Sequence, residues 1–303
     1  MELKELSTEQ RNQDTLSIDK VSTLEAVLMM NREDHKVPQV LKEHASELAE
    51  IIDYIWDKFK EGRLFYCGAG TSGRLAIVDA SECPPTFGVK PGKVIGLIAG
   101  GSTAMTTAVE GAEDDLSLCQ QYLEKHDFTD KDVLVGIAAS GRTPFVIGGL
   151  KYAKSIGART VAISNTKDSE IGSIADKKLE VVTGPEAITG STRLKAGTSQ
   201  KLVLNTISTI LFIKYGKVYS NLMVDVQPTN EKLVERASRI IAESLEVSIE
   251  RAQQLLQESN QSVKHAIVMG LLNVDLEEAD QLLNVNNNRI ADILYQKKEE
   301  DVR

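Results

Sequence analysis

Between Ser22 and about Lys60 the apolar residues recur at helical spacing, with Leu24, Val27 and Leu28 first, then Val40, Leu41, Leu48, Ile51, Ile52 and Ile55. This periodicity predicts a helical arm leading into a core. Five short apolar runs follow: Leu64 to Cys67, Val94 to Ile98, Val133 to Ile137, Thr160 to Ile163 and Leu179 to Val182. Each is succeeded by small residues and then by a helical pattern. Strand, loop and helix in repetition predict an α/β fold, a parallel sheet covered by helices on both faces. After Ser199 the residues Leu202, Leu204, Ile207, Ile210, Leu211 and Ile213 mark a long apolar helix ending near Gly216. Asn221 to Pro228 reads as a connection, and a helix is expected from about Asn230 to Leu245. From about Val247 to Val302, leucine pairs at 255/256, 271/272 and 282/283 predict a small domain of short helices.

Charge and cysteine usage narrow the function classes. A formal net charge of -9 repels polyanions at long range, so a bound phosphate must be held by local donors. The helical tail carries more acid than base and has no basic stripe, which argues against a DNA-reading helix-turn-helix. Nucleic acid is not an expected partner. Cys67, Cys83 and Cys119 form no C-x-x-C pair and suit reduced thiols. His35, His44, His126 and His265 are scattered, so no metal site is expected. The start, Met1-Glu2-Leu3-Lys4-Glu5-Leu6, is charged and lacks an apolar signal core. No run approaches membrane-spanning length, and the expected location is the cytoplasm, with no membrane partner.

In a parallel α/β fold, ligands bind where strands hand over to helices, because helix N-termini there present unpaired N–H groups. Gly68, Gly70 and Gly73 spell G-x-G-x-x-G after the first strand, the spacing of a dinucleotide fingerprint. That reading also needs an acid at the end of the next strand, and there the chain runs Ala99-Gly100-Gly101-Ser102-Thr103. No nicotinamide cofactor is expected. What recurs instead is glycine with hydroxyl: Thr71 and Ser72, Ser102 and Thr103, Ser140 and Thr143 at successive strand ends. A single such loop is ordinarily a helix cap, but three in series suit a phosphate or sugar hydroxyl. The segment Thr189 to Thr198 adds Ser191, Arg193 and Lys195 among further glycines and hydroxyls. Arg142, Arg193 and Lys195 either neutralise a ligand anion or pair with surface carboxylates.

Two carboxylates complete the candidates. Glu82 is expected near the end of the helix begun at Ser72, where the macrodipole disfavours an anion and Pro84-Pro85 fix a stiff turn. Glu113 is expected on a helix after the Ser102-Thr103 loop, among Glu110, Asp114 and Asp115, where a solvated face is the plain alternative.

Three runs carry a specific resemblance: Gly68 to Phe87, which includes Thr-Ser-Gly-Arg and Ser-Glu-Cys-Pro-Pro, then Ile137 to Pro144, and Gly190 to Thr198. Together they resemble the N-acetylmuramic acid 6-phosphate etherase family, over almost the whole chain. The core is similar to the sugar isomerase (SIS) domain, which implies a parallel five-stranded sheet flanked by helices. The implied organisation is an N-terminal helical arm over 1–54, the SIS domain over 55–220, and a connecting helix with a small helical domain over 221–303. The family implies cleavage of the lactyl ether of N-acetylmuramic acid 6-phosphate by water, giving N-acetylglucosamine 6-phosphate and D-lactate in cell-wall amino-sugar salvage. Glu82 matches the acid that protonates departing lactate, and Glu113 matches the second catalytic glutamate, here taken as the C2 base. Such proton transfers call for no cofactor and no metal. Opposite roles require Glu82 protonated and Glu113 ionised when substrate arrives, a difference expected from burial beside the proline turn. The resemblance also implies that Ser72, Ser140 and Thr143 hold the phosphate end, and that the protein is a homodimer. Thr71, Ser191 and Lys195 are expected beside them. Ala139 stands where some isomerases of the superfamily have a polar residue. Two rivals remain: an aldose-ketose isomerase on the same domain, and a non-catalytic phosphosugar sensor resembling the glucokinase regulatory protein.

Overall fold

The strands Leu64–Gly68 (β1) and Val133–Ala138 (β3) are buried at every position, as central strands covered on both faces must be. The computed structural model describes residues 7–225 and 231–301. The sequence readings at Met1 to Leu6, at 226–230 and at the last two residues lie outside the described residues. With Val94–Ile98 (β2), Arg159–Ser164 (β4) and Lys177–Glu180 (β5), the strands form one parallel sheet of order β2-β1-β3-β4-β5. Leu64 pairs with both Val94 and Val133, so the first three strands start level with one another. The last strand starts and ends two residues earlier than the apolar run from Leu179 to Val182 suggests. Lys177 and Lys178 pair with Val161 and Ala162 while their side chains face solvent at the sheet edge.

Three helices, Thr23–Asp34 (α1), Lys36–Glu43 (α2) and Ala45–Phe59 (α3), make up the arm. Ile51, Ile52, Ile55 and Phe59 of α3 are buried and pack toward β3, β4 and β5. Gly70–Phe87 (α4) follows β1, and a Cβ added at Gly73 would lie 2.5 Å from Ile98 Cγ1 and 2.6 Å from the Gly68 carbonyl oxygen. The helix therefore sits directly on the strands. The other face carries Leu118–Lys125 (α5), Pro144–Ser155 (α6) and Glu170–Ile174 (α7) over a core of Phe65, Leu97, Leu134, Phe145, Val146 and Leu150. Gly148 and Gly149 of α6 leave no room for side chains, because Leu116 O and Cys119 Sγ press against them.

Lys195–Lys214 (α8) is the long apolar helix. By compactness the chain divides into two units, one with the residues up to Ser81 and Gly92–Ser208, the other with Glu82–Pro91 and everything from Thr209 onward. The divide falls inside α4 and α8. The second unit also holds a two-stranded ribbon, Val218–Tyr219 (β6) and Leu222–Met223 (β7). Five helices follow: Glu231–Leu245 (α9), Ile249–Glu258 (α10), Val263–Leu272 (α11), Leu276–Val285 (α12) and Ile290–Asp301 (α13). Ser248, Ser262 and Asp275 cap α10, α11 and α12 through their side chains, and Ile241, Leu256, Ile267 and Leu283 fill the core. No described helix is long and apolar enough to cross a membrane.

Candidate functional site

Strand order reverses direction at β1, which has β2 on one side and β3 on the other, so the carboxyl ends of β1 and β3 flank a topological switch point. The Gly68-to-Ser72 loop and the Ala139-to-Thr143 loop leave the sheet there, and each opens a helix whose first N–H groups point outward. Gly70 at φ +54° and Gly141 at φ +70° make the two turns, and Gly141 is packed so closely that an added Cβ would lie 2.4 Å from Ser169 Cβ. Thr143 is the N-cap of α6 yet its side chain makes no capping bond. Among the described residues the half-buried hydroxyls of Thr71, Ser140 and Thr143 have no hydrogen-bond partner, which leaves them available to a ligand.

Ser72 is different. It is buried, and its hydroxyl donates to Gln200 Oε1 at 2.8 Å. Gln200 Nε2 donates in turn to Asn165 Oδ1 at 2.9 Å, and Asn165 Nδ2 donates to Ser199 Oγ at 2.7 Å and to the Val181 carbonyl at 2.8 Å. This chain of buried groups ties the loops after β1, β4 and β5 to α8, with each polar atom satisfied inside the fold. A Cβ added at Gly197 would stand 3.3 Å from Thr71 Cγ2, so the first turn of α8 abuts the β1 loop.

Lys195 opens α8 and is also buried, at 1% exposure. Its ammonium pairs with Glu33 of α1 at 2.5 Å, and Glu33, itself 1% exposed, also accepts from Lys36 at 2.5 Å and from Asn12 at 2.8 Å. Burial alone would raise the Glu33 pKa, but the hydrogen bonds from Lys195, Lys36 and Asn12 together outweigh it and hold the carboxyl below its ordinary value. Asn12 reaches on to the Pro185 carbonyl at 3.0 Å, and Thr15 donates to the Ala187 carbonyl at 2.8 Å. Glu186 accepts from the Lys195 and Ala196 amides, both at 2.9 Å, and so caps α8. Its burial raises its pKa, partly offset by those two amides. The residues before α1 thus fasten the segment that carries Ser191 and Lys195. Between them lies a cavity of about 570 Å³, lined in part by Arg11, Asn12, Glu33, Lys36, Thr183 and Lys195.

The two glutamates are both exposed. Glu82 lies on α4, which does not end before Cys83: Pro84 and Pro85 are inside the helix, and Gly88 N still bonds to the Pro84 carbonyl at 3.0 Å. The prolines remove two N–H donors without turning the chain, because buried Cys83 and Phe87 hold the last turn in place. The stiff turn and the burial expected of Glu82 are therefore absent. Glu113 stands on a single 3₁₀ turn, Ala112–Asp114, rather than on a longer helix, since Gly111 at φ +73° breaks the chain just before it. Ala112 of that turn packs on the core and the turn lies against α6.

Asn12, Glu33, Glu186 and Gln200 are organising residues that the sequence pattern left unread. Glu33 sits within an otherwise polar stretch, and only its buried partners in space distinguish it from a solvated acid. Among the described residues no group of three His, Cys, Asp or Glu converges as a metal cage.

Two family models match, the glucokinase regulatory protein N-terminal SIS domain over residues 47–154 and the SIS domain over residues 116–209. An N-acetylmuramic acid 6-phosphate etherase of Oceanobacillus iheyensis is 56% identical over 276 residues, covering 91% of this chain and 94% of its own. One from Exiguobacterium sp. is 54% identical over 293 residues, 96% of this chain and 100% of its own. One from Staphylococcus saprophyticus is 51% identical over 284 residues, 93% of this chain and 96% of its own. With more than half of the residues shared over at least nine-tenths of each chain, the protein belongs to the N-acetylmuramic acid 6-phosphate etherase family.

Proposed function

We propose that this protein cleaves the D-lactyl ether of N-acetylmuramic acid 6-phosphate with water, releasing N-acetylglucosamine 6-phosphate and D-lactate. The carrying observation is the identity to proteins of that name over nearly the full length of each. In the ring-opened sugar the aldehyde acidifies the C2 proton, and Glu113 removes it. The electron pair freed from the C2–H bond then forms the C2=C3 double bond as the C3–O bond breaks, the C3–O pair leaves on the ether oxygen, and Glu82 delivers a proton to that oxygen. Water adds its oxygen to C3 and a proton returns to C2. In the chain alone both carboxylates face solvent. Thr71, Ser140 and Thr143 take the phosphate end, helped by the α4 and α6 N-termini, while Ser72 and Lys195 hold the loops and Ser191 faces the sugar. The same reading makes the protein a cytoplasmic homodimer.

The match to the glucokinase regulatory protein domain favours a second reading, a phosphosugar sensor without chemistry. Incubation with N-acetylmuramic acid 6-phosphate in deuterated water separates the two. The enzyme releases D-lactate and leaves deuterium at C2 of the sugar product, an isomerase releases no lactate, and a sensor returns the substrate unchanged. Absence of lactate, or lactate without deuterium at C2, refutes the mechanism.

A further inference from the structure

The cavity between the N-terminal residues and α8 has a charge balance that selects a ligand. Three cations line it, Arg11, Lys36 and Lys195, against two carboxylates, Asp14 and Glu33. Lys195 is paired with Glu33, and Lys36 with Glu33 and Asp14. Arg11 makes no ion pair among the described residues, is exposed, and is the surplus positive charge. Behind it the wall is fixed by side chains that are nearly inaccessible: Asn12 at 7%, Thr183 at 5%, and Glu33 and Lys195 at 1%.

Position supplies the second half of the argument. The cavity is lined in part by Thr183, Gly184 and Pro185, just beyond β5, whereas the unpartnered hydroxyls stand at the β1/β3 junction. Two and a half strand intervals of ~4.8 Å put β5 about 12 Å across the sheet from that junction, on the order of the length of a sugar with a phosphate at one end and a carboxylate at the other. The first turn of α8 joins them, with Lys195 on the cavity and Gly197 against Thr71.

We propose that this cavity is a carboxylate subsite, in which the Arg11 guanidinium takes the lactyl carboxylate of the substrate and so selects muramic over glucosamine phosphates. The inference rests on the etherase reading above. A single surplus positive charge matches a monocarboxylate and undercompensates a phosphate dianion, and guanidinium forks bind carboxylates through two parallel N–H donors. The phosphate is left to the hydroxyls and helix N-termini of the switch point.

The test compares calorimetric affinities for N-acetylmuramic acid 6-phosphate and N-acetylglucosamine 6-phosphate, which differ by the lactyl group, in the wild-type protein, Arg11→Gln and Arg11→Lys. D-lactate release by the wild type is followed in parallel. The wild type prefers the carboxylate-bearing sugar, Arg11→Gln reduces that preference roughly 10- to 100-fold, and Arg11→Lys by a smaller factor. Because the readout is a ratio within one protein, partial misfolding does not mimic the result, and Arg11→Lys covers a glutamine variant that fails to fold. Lactate release with an unchanged preference in Arg11→Gln overturns the subsite alone. No lactate and no preference in the wild type overturns the etherase reading with it.

Discussion

Replacing Glu33 by Gln keeps the shape of the side chain and removes the carboxylate that is paired with Lys195. The ammonium of Lys195, 1% exposed, is then buried without its ion-pair partner, a change that costs about 3–5 kcal/mol in comparable buried pairs. The lower end applies, because the Lys36 side of the network is open, with that side chain 43% exposed, and Asn12 Nδ2 retains an amide oxygen to donate to. About 3 kcal/mol corresponds to a fall in melting temperature of roughly 6–12 °C for a unit of this size. Urea unfolding of Glu33→Gln, Lys195→Met and the double variant measures it. Lys195→Met costs less, since Glu33 keeps Lys36 and Asn12, and the double variant loses less than the sum of the singles by about 1–3 kcal/mol. The pH dependence has a definite sign. Glu33 has a folded pKa below 4.5, so its contribution is fully present above that pH and is lost as pH falls through the depressed value. The gap between wild type and Glu33→Gln stays constant from neutral pH down to about 4.5 and closes below it. A loss under about 1 kcal/mol, or single effects that simply add, would show that the buried pair does not fasten α1 to α8.

Glu82→Ala is expected to retain deuterium exchange at C2 while losing lactate release, and Glu113→Ala to lose both, followed by mass analysis of the sugar. Loss of exchange in the Glu82 variant reverses the assignment. Ser72→Ala removes the donor to Gln200 and is expected to destabilise by about 1–3 kcal/mol in chemical denaturation, an effect that a purely ligand-facing hydroxyl would not produce. Gly73→Ala drives a methyl to within 2.6 Å of the Gly68 carbonyl oxygen and 2.5 Å of Ile98 Cγ1. It is expected to cost about 1–3 kcal/mol or more, and a variant of wild-type stability would mean that α4 can lift from the sheet freely.

The five strands and most helices were legible because each is governed by a local rule: buried apolar runs for parallel strands, apolar spacing of three and four for helices. The hydroxyl loops were legible for a related reason, since strand-to-helix junctions must expose N–H groups wherever the chain folds this way. Glu82 and Lys195 were harder. Two consecutive prolines argue locally for a turn, yet α4 passes through them because tertiary packing of Cys83 and Phe87 outweighs two lost hydrogen bonds. Lys195, flanked by glycines and hydroxyls, reads equally as a cation for a ligand or as a partner for a carboxylate, and its buried neighbour Glu33, distant in sequence, supplies such a carboxylate.

Sequence by itself therefore determined the parallel α/β core, the order of its elements and the family to which the motifs point, because backbone hydrogen bonding and apolar periodicity are read within a few residues. Tertiary structure decided which polar groups have a partner inside the fold and which do not. Ser72 and Lys195 are committed to Gln200 and Glu33, whereas Thr71, Ser140, Thr143 and Arg11 are not. The physical reason is that a polar side chain's role depends on whether its partner has been supplied by a distant part of the same chain, and the local pattern holds no record of that partner.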